Sequence, residues 1–266
     1  MRAVWLHVVQ ISRPTANMPE RPGWSMIDVA GTPCEIHEPA SALPGMAAIL
    51  LGDLRGLPTA LETALRRRIE AAGLRAIAPA GGDAWWIERV VPSFDPARSP
   101  AAVVCGSVLS EVVRRFDVKP PGIALVGCGA GGQGALGIAY RRPETFPVVA
   151  AVAPAIDFHL AMREGLEGSG VLWDVYDDVE QARQDTAILH VHPLNWPRNQ
   201  FFAADADDAV WYDGAARLHG KLAALGVPHE WLLDRVDAAR GFADTAAEAV
   251  VAFVVDRLGR ESRRIA

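Results

Sequence analysis

The chain has 266 residues, half of them hydrophobic, and a formal net charge of -6 at pH 7. That length suits one large α/β domain or at most two small ones, with ample apolar material for a core. The acidic balance, with only short basic clusters at 66–68 and 257–264, excludes a general nucleic-acid surface, and no stretch approaches the ~20 apolar residues of a membrane span.

Residues 1–23 read as an irregular leader: an apolar run broken by His7 and Gln10, then a proline-rich stretch. The run has no small-residue cleavage site, so no signal peptide is expected. Residues 25–39 hold two short runs around Ala30-Gly31-Thr32, the pattern of a hairpin. The apolar run 46–53 predicts a buried strand, 59–73 a helix stopped by Gly73, and 74–82 a second buried strand. Residues 99–117 open on Ser-Pro and continue with helical periodicity. Strand 122–127, helix 131–143 and strand 148–157 follow. Residues 158–187 predict a helical, acidic insertion, and then strand 199–205, helix 213–226, strand 228–234 and helix 245–259 complete the chain, with 261–266 as a tail. Buried strands alternating with helices predict a mostly parallel sheet covered on both faces, with the leading hairpin as an antiparallel edge. A single domain over 24–260 is expected.

The most informative stretch runs from Ile123 to Gly134, a strand, a glycine-rich turn and a helix. One reading is a dinucleotide fingerprint at Gly127-x-Gly129-x-x-Gly132, with Asp157 at the next strand end as a ribose-binding acid. The fingerprint usually sits on the first strand of its domain, yet here more than 120 residues precede it. The other reading is a nucleophile elbow, G-x-S-x-G, in which a strained turn between strand and helix exposes the nucleophile. The spacing fits Gly127, Gly129 and Gly131, and the serine position holds Gly129.

The segments APAGGDAWW (78–86), GGQGALGIAYRRPETFPVVAAVAPAIDFH (131–159), HVHPLNWPRNQFF (190–202) and WYDGAARLHGKLAALGVPHE (211–230) resemble bacterial esterases of the esterase D type. These are relatives of S-formylglutathione hydrolases and mycolyltransferase-like esterases. The resemblance spans about residues 24 to 258, nearly the whole chain. It implies an α/β-hydrolase fold, no cofactor or metal, and a Ser-Asp-His triad in that chain order, with backbone N–H groups holding the oxyanion.

Carried onto this sequence, the nucleophile position is Gly129, which has no side-chain atom to attack with. The acid position falls on Asp208, with Asp205 as the alternative; both also suit a polar turn or a helix cap. The oxyanion donors would be the N–H groups of Ala130 and of Leu54 or its neighbour Asp53. The histidine position falls in the loop 237–242, which contains none, and no histidine occurs after His229. His190 and His192 read as structural, His229 begins a strand at the wrong end of the sheet, His37 and His219 read as ordinary surface or edge residues, and His159 is a candidate ligand contact. Ser107 and Ser110 lie within a predicted helix and offer no substitute nucleophile. Cys128, beside the elbow position, reads as a small buried hydrophobe. With Cys34 and Cys105 it is widely spaced and expected to be a reduced thiol in the cytoplasm.

Loss of triad members typically costs on the order of 10⁴ to 10⁶ in kcat. The expectation is therefore a non-catalytic esterase homologue that binds a small acyl or ester-like ligand or a protein partner. The alternatives are a hydrolase rewired around Cys128 or around a water held by Asp205 and Asp208, a dinucleotide-binding protein, and an assembly role for the 158–187 insertion.

Overall fold

The computed structural model describes residues 23–54, 59–233 and 241–265. The leader, apart from Gly23, lies outside the described residues, as does most of the loop that occupies the histidine position. The described chain builds one eight-stranded sheet in the order β1-β2-β4-β3-β5-β6-β7-β8. The predicted hairpin is β1 (Ser25–Val29) and β2 (Thr32–His37), antiparallel to each other, with β2 antiparallel to β4 (Arg75–Pro79). The others, β3 (Ala47–Leu51), β5 (Ile123–Cys128), β6 (Val148–Val152), β7 (Asn199–Ala203) and β8 (Glu230–Leu232), run parallel.

Side chains alternate across a strand, and here that alternation sorts the core into two layers. Ala47, Ile49 and Leu51 of β3 and Ile123 and Leu125 of β5 face one side. There they meet α3 (Leu109–Phe116), α4 (Ala130–Arg141) and α8 (Tyr212–Ala224). Ala48, Leu50, Ala124, Val126 and Cys128 face the other side, against α1 (Ala60–Ala72) and α9 (Phe242–Ile265). Thr59 and Glu62 form a reciprocal capping box at the start of α1, and Gly73 in the left-handed region ends it.

The structure departs from the sequence expectations in several places. The helix expected over 99–117 is continuous but contains a π-helical turn, Val104–Val108, between α2 (Pro100–Val103) and α3. Strand β6 stops at Val152 because Ala153 takes φ +44 and Pro154 follows. The final helix runs on to Ile265, through the residues expected to form a tail. His37 is buried, not a surface residue: Trp24 stacks on its ring and Nδ1 lies 2.6 Å from the Gly23 carbonyl oxygen. His219 is half-buried and packs against His229 and Trp231.

The insertion contains α5 (His159–Glu164), α6 (Ser169–Trp173) and α7 (Val179–Arg183). It folds over the carboxyl end of β5 through a cluster of Trp85, Phe158, Leu172, Tyr176 and Ala130. Asp185 fastens it below, accepting a hydrogen bond from Tyr176 at 2.7 Å and pairing with Arg141 of α4.

Candidate functional site

Register fixes which backbone segments meet. Leu51 at the end of β3 pairs with Gly127, and Cys128 at the end of β5 pairs with Val152. The residues just beyond these ends, 52–54, 129–131 and 153–155, therefore gather at the carboxyl edge of the sheet, where open α/β sheets carry their sites.

Gly129 is the pivot. Its φ of 55 and ψ of -121 place it outside the conformations an L-residue adopts readily. Its N–H donates to the Val152 carbonyl at 3.0 Å, and its own carbonyl accepts from Gln133 at 3.2 Å and from Ala155 at 3.0 Å. The result is a sharp strand-to-helix bend with the shape of a nucleophile elbow. The other glycines of the turn are explained by close packing. A Cβ on Gly127 would strike the Gly131 and Gly132 backbone. One on Gly131 would strike the Leu51 and Gly52 carbonyls, and one on Gly132 would meet Pro154 Cα at 3.1 Å. The space a pyrophosphate would need beside the fingerprint glycines is thus filled by the chain itself. The sheet order also differs from the 3-2-1-4-5-6 order of dinucleotide folds. Asp157 is buried against Arg217 of α8, an ion pair that accounts for it without a ribose.

The Ala130 and Leu54 N–H groups do converge, and what they converge on is a side chain of the protein. Asp53 Oδ1 accepts from Ala130 N at 2.9 Å and from Leu54 N at 2.9 Å. The Asp53 carboxyl group lies over Gly129, in the space where a side chain at 129 would project; all three of its terminal atoms collide with a Cβ built there. Asp53 is held in turn: its own N–H donates to Glu62 Oε1 at 2.9 Å, while Glu62 Oε2 accepts from Thr59 N at 2.9 Å. Sequence reasoning treated residue 53 only as a possible backbone donor. The signal for its acidic side chain was the missing Cβ at position 129, which opens room for a neighbour.

The two acid candidates are occupied locally. Asp208 Oδ1 accepts from Val210 N at 2.9 Å and Trp211 N at 3.0 Å, just ahead of α8. Asp205 Oδ1 accepts from Asp207 N at 3.0 Å. These bonds are those of polar turns and a helix entry. His159 opens α5, where burial, then the charges of Arg163 and Arg183, hold its imidazole below the usual histidine range. Ser107 lies in the π-helical turn, donating to the Val103 carbonyl at 3.3 Å, and Ser110 in α3. Cys128 points into the α1/α9 layer; burial, then the nearby Glu62 and Asp53 charges, push its thiol well above the ordinary value. A cleft of about 60 Å³ opens on that side, lined by Gly52, Asp53, Glu62 and Cys128 together with the Glu35–Arg66 ion pair.

Two tryptophans brace the bend from the insertion side. Trp85 and Trp86 both take φ 53, a costly conformation for bulky residues, of about 1–3 kcal/mol each. Trp86 Nε1 donates to the Gly52 carbonyl at 2.9 Å and Trp85 Nε1 to the Gly168 carbonyl at 3.2 Å. Trp86 also lies directly against Gly134 of α4.

Residues 105–244 match the sequence profile of the prolyl oligopeptidase family (Peptidase_S9). No curated protein matches the chain by sequence. Among solved structures, the S-formylglutathione hydrolase of Agrobacterium tumefaciens superposes with a TM-score of 0.67 at 15% identity, over 88% of this chain and 94% of that one. MPT51 of Mycobacterium tuberculosis gives 0.63 at 16% identity, over 90% and 98%. Oligopeptidase B of Leishmania major gives 0.59 at 15% identity, over 89% of this chain and 36% of that one. The fold is that of an α/β-hydrolase, as the sequence resemblance implied.

Proposed function

This chain belongs to the prolyl oligopeptidase family of α/β-hydrolases, and we propose that it is a non-catalytic esterase homologue that binds a small acyl or ester-like ligand or a protein partner. The observation that carries this reading is Gly129: the bend has the backbone of a nucleophile elbow and no atom on it to form an acyl intermediate. Two further features support it. No histidine follows His229 in the sequence, so the chain-order position of the general base is vacant. Both backbone donors that would polarise an acyl carbonyl already hold the Asp53 carboxylate.

A site rewired around Cys128 is disfavoured by its burial, which keeps the thiol protonated and turned away from the bend. One rewired around Asp205 and Asp208 is disfavoured by the local bonds both already make. The test is turnover of p-nitrophenyl acetate by the purified chain, with labelling by a fluorophosphonate probe alongside. Turnover equal to buffer and no labelled residue are expected. Hydrolysis well above buffer that disappears in Asp208→Ala would overturn the proposal.

A further inference from the structure

We infer that Asp53 is a built-in occupant of the anion site at the bend: the chain fills its own oxyanion pocket with a carboxylate, and an outside carboxylate binds there only when Asp53 is removed. The inference concerns binding and holds whether or not the protein turns over an ester.

Two features support it, the convergence of the donors and the place of the carboxyl group. The two donors come from separate elements, Leu54 beyond β3 and Ala130 at the first turn of α4, and meet on one oxygen at equal distances of 2.9 Å. Two N–H groups aimed at a single oxygen is the arrangement that stabilises an oxyanion, and the start of a twelve-residue helix adds positive potential. The bond to Ala130 spans 77 residues of sequence, so it is a tertiary contact and not a local turn. Finally, the carboxyl group rests in the volume that any side chain at 129 would claim.

The occupant is preorganised. Glu62 grips the Asp53 N–H from one side, and on the other the Leu54 side chain lies beside Gly168 and packs against the cluster that contains Trp85. A side chain held rigidly in place competes at an effective concentration far above the millimolar range of a flexible tether, without the association entropy that a free ion must overcome. Free acetate therefore does not displace it, and the same two donors become an acetate site once the side chain is gone.

The test uses the full chain as wild type, Asp53→Ala and Asp53→Asn. Thermal unfolding and the Ala130 amide resonance are followed as sodium acetate rises to about 100 mM at constant ionic strength, with acetamide as control. Acetate is expected to leave the wild type unchanged. It is expected to shift the Ala130 amide of D53A and raise its Tm by about 2–4 °C at ten times the dissociation constant, with no response to acetamide. D53N keeps a carbonyl oxygen on the two donors and is expected to ignore acetate. If D53A is partly unfolded in buffer, acetate is expected to raise its folded fraction. The inference is overturned by a folded D53A that does not respond, by a partly unfolded D53A whose folded fraction does not rise in acetate, by equal responses from wild type and D53A, or by a D53N that responds as D53A does.

Discussion

Placing one methyl group at the bend measures how tightly Gly129 and Asp53 depend on each other. Gly129→Ala asks an L-residue to hold φ 55 and ψ -121, a strain of about 1–3 kcal/mol. It also drives a Cβ into the Asp53 carboxyl group, which must leave and surrender its bonds to Ala130 and Leu54. Hydrogen bonds to a charged acceptor are worth about 1.5–3 kcal/mol each, and water returns part of this at a half-buried site, so the displacement adds roughly 2–3 kcal/mol. The total expected loss is about 3–6 kcal/mol. In an Asp53→Gly background only the backbone strain remains, about 1–3 kcal/mol. Urea unfolding of the wild type, both single variants and the double variant closes the cycle, with an expected coupling of about 2–3 kcal/mol. A Gly129→Ala variant losing less than about 1 kcal/mol, or losing the same amount in both backgrounds, would refute the reasoning.

Other expectations follow from the same packing. Gly134→Ala forces a methyl group against Trp86 and is expected to cost about 1–3 kcal/mol by overpacking, read from the urea midpoint. Glu62→Ala removes both the α1 capping box and the anchor on the Asp53 N–H, a loss of about 1–3 kcal/mol, which Glu62→Gln recovers in part by the same measurement. The thiols give a pH prediction. Burial pushes Cys34 up to about 12 and Cys105 up to about 11, and it raises Cys128 as well. Unfolded thiols ionise from their ordinary value of 9.0 while the folded ones keep their protons. The unfolded chain then binds fewer protons, and stability falls as pH rises from about 9 toward about 12. The stability contribution is fully present below 9 and is checked by urea midpoints between pH 8 and the alkaline limit of the fold. Native protein at pH 8 is also expected to react with a thiol reagent far more slowly than protein in urea.

Much of the fold was legible because its signals are periodic. The short apolar runs at 46–53 and 122–127 became β3 and β5, and Gly73 closed α1 where the sequence placed it. The bend at Gly129 was legible too, since glycines at 127, 129 and 131 are needed wherever strand and helix backbones press together. Less visible were features set by tertiary contact. The end of β6 depends on a positive φ at Ala153 and the burial of His37 on a stacked Trp24, while the π-helical turn at Val104–Val108 leaves no mark on the helical periodicity. The carboxyl group over the bend was hidden most deeply, because Asp53 and Ala130 are 77 positions apart and the register of β3 with β5 brings them together.

The mutual fit of Gly129 and Asp53 bears on how this lineage can change. A serine placed at the bend collides with the acid above it, and removing the acid first costs two part-buried donors their partner. Each single replacement is expected to give a less stable protein than the starting one, and only a paired change at 53 and 129 avoids the collision. The two positions therefore behave as one unit, open to joint replacement and closed to change one residue at a time.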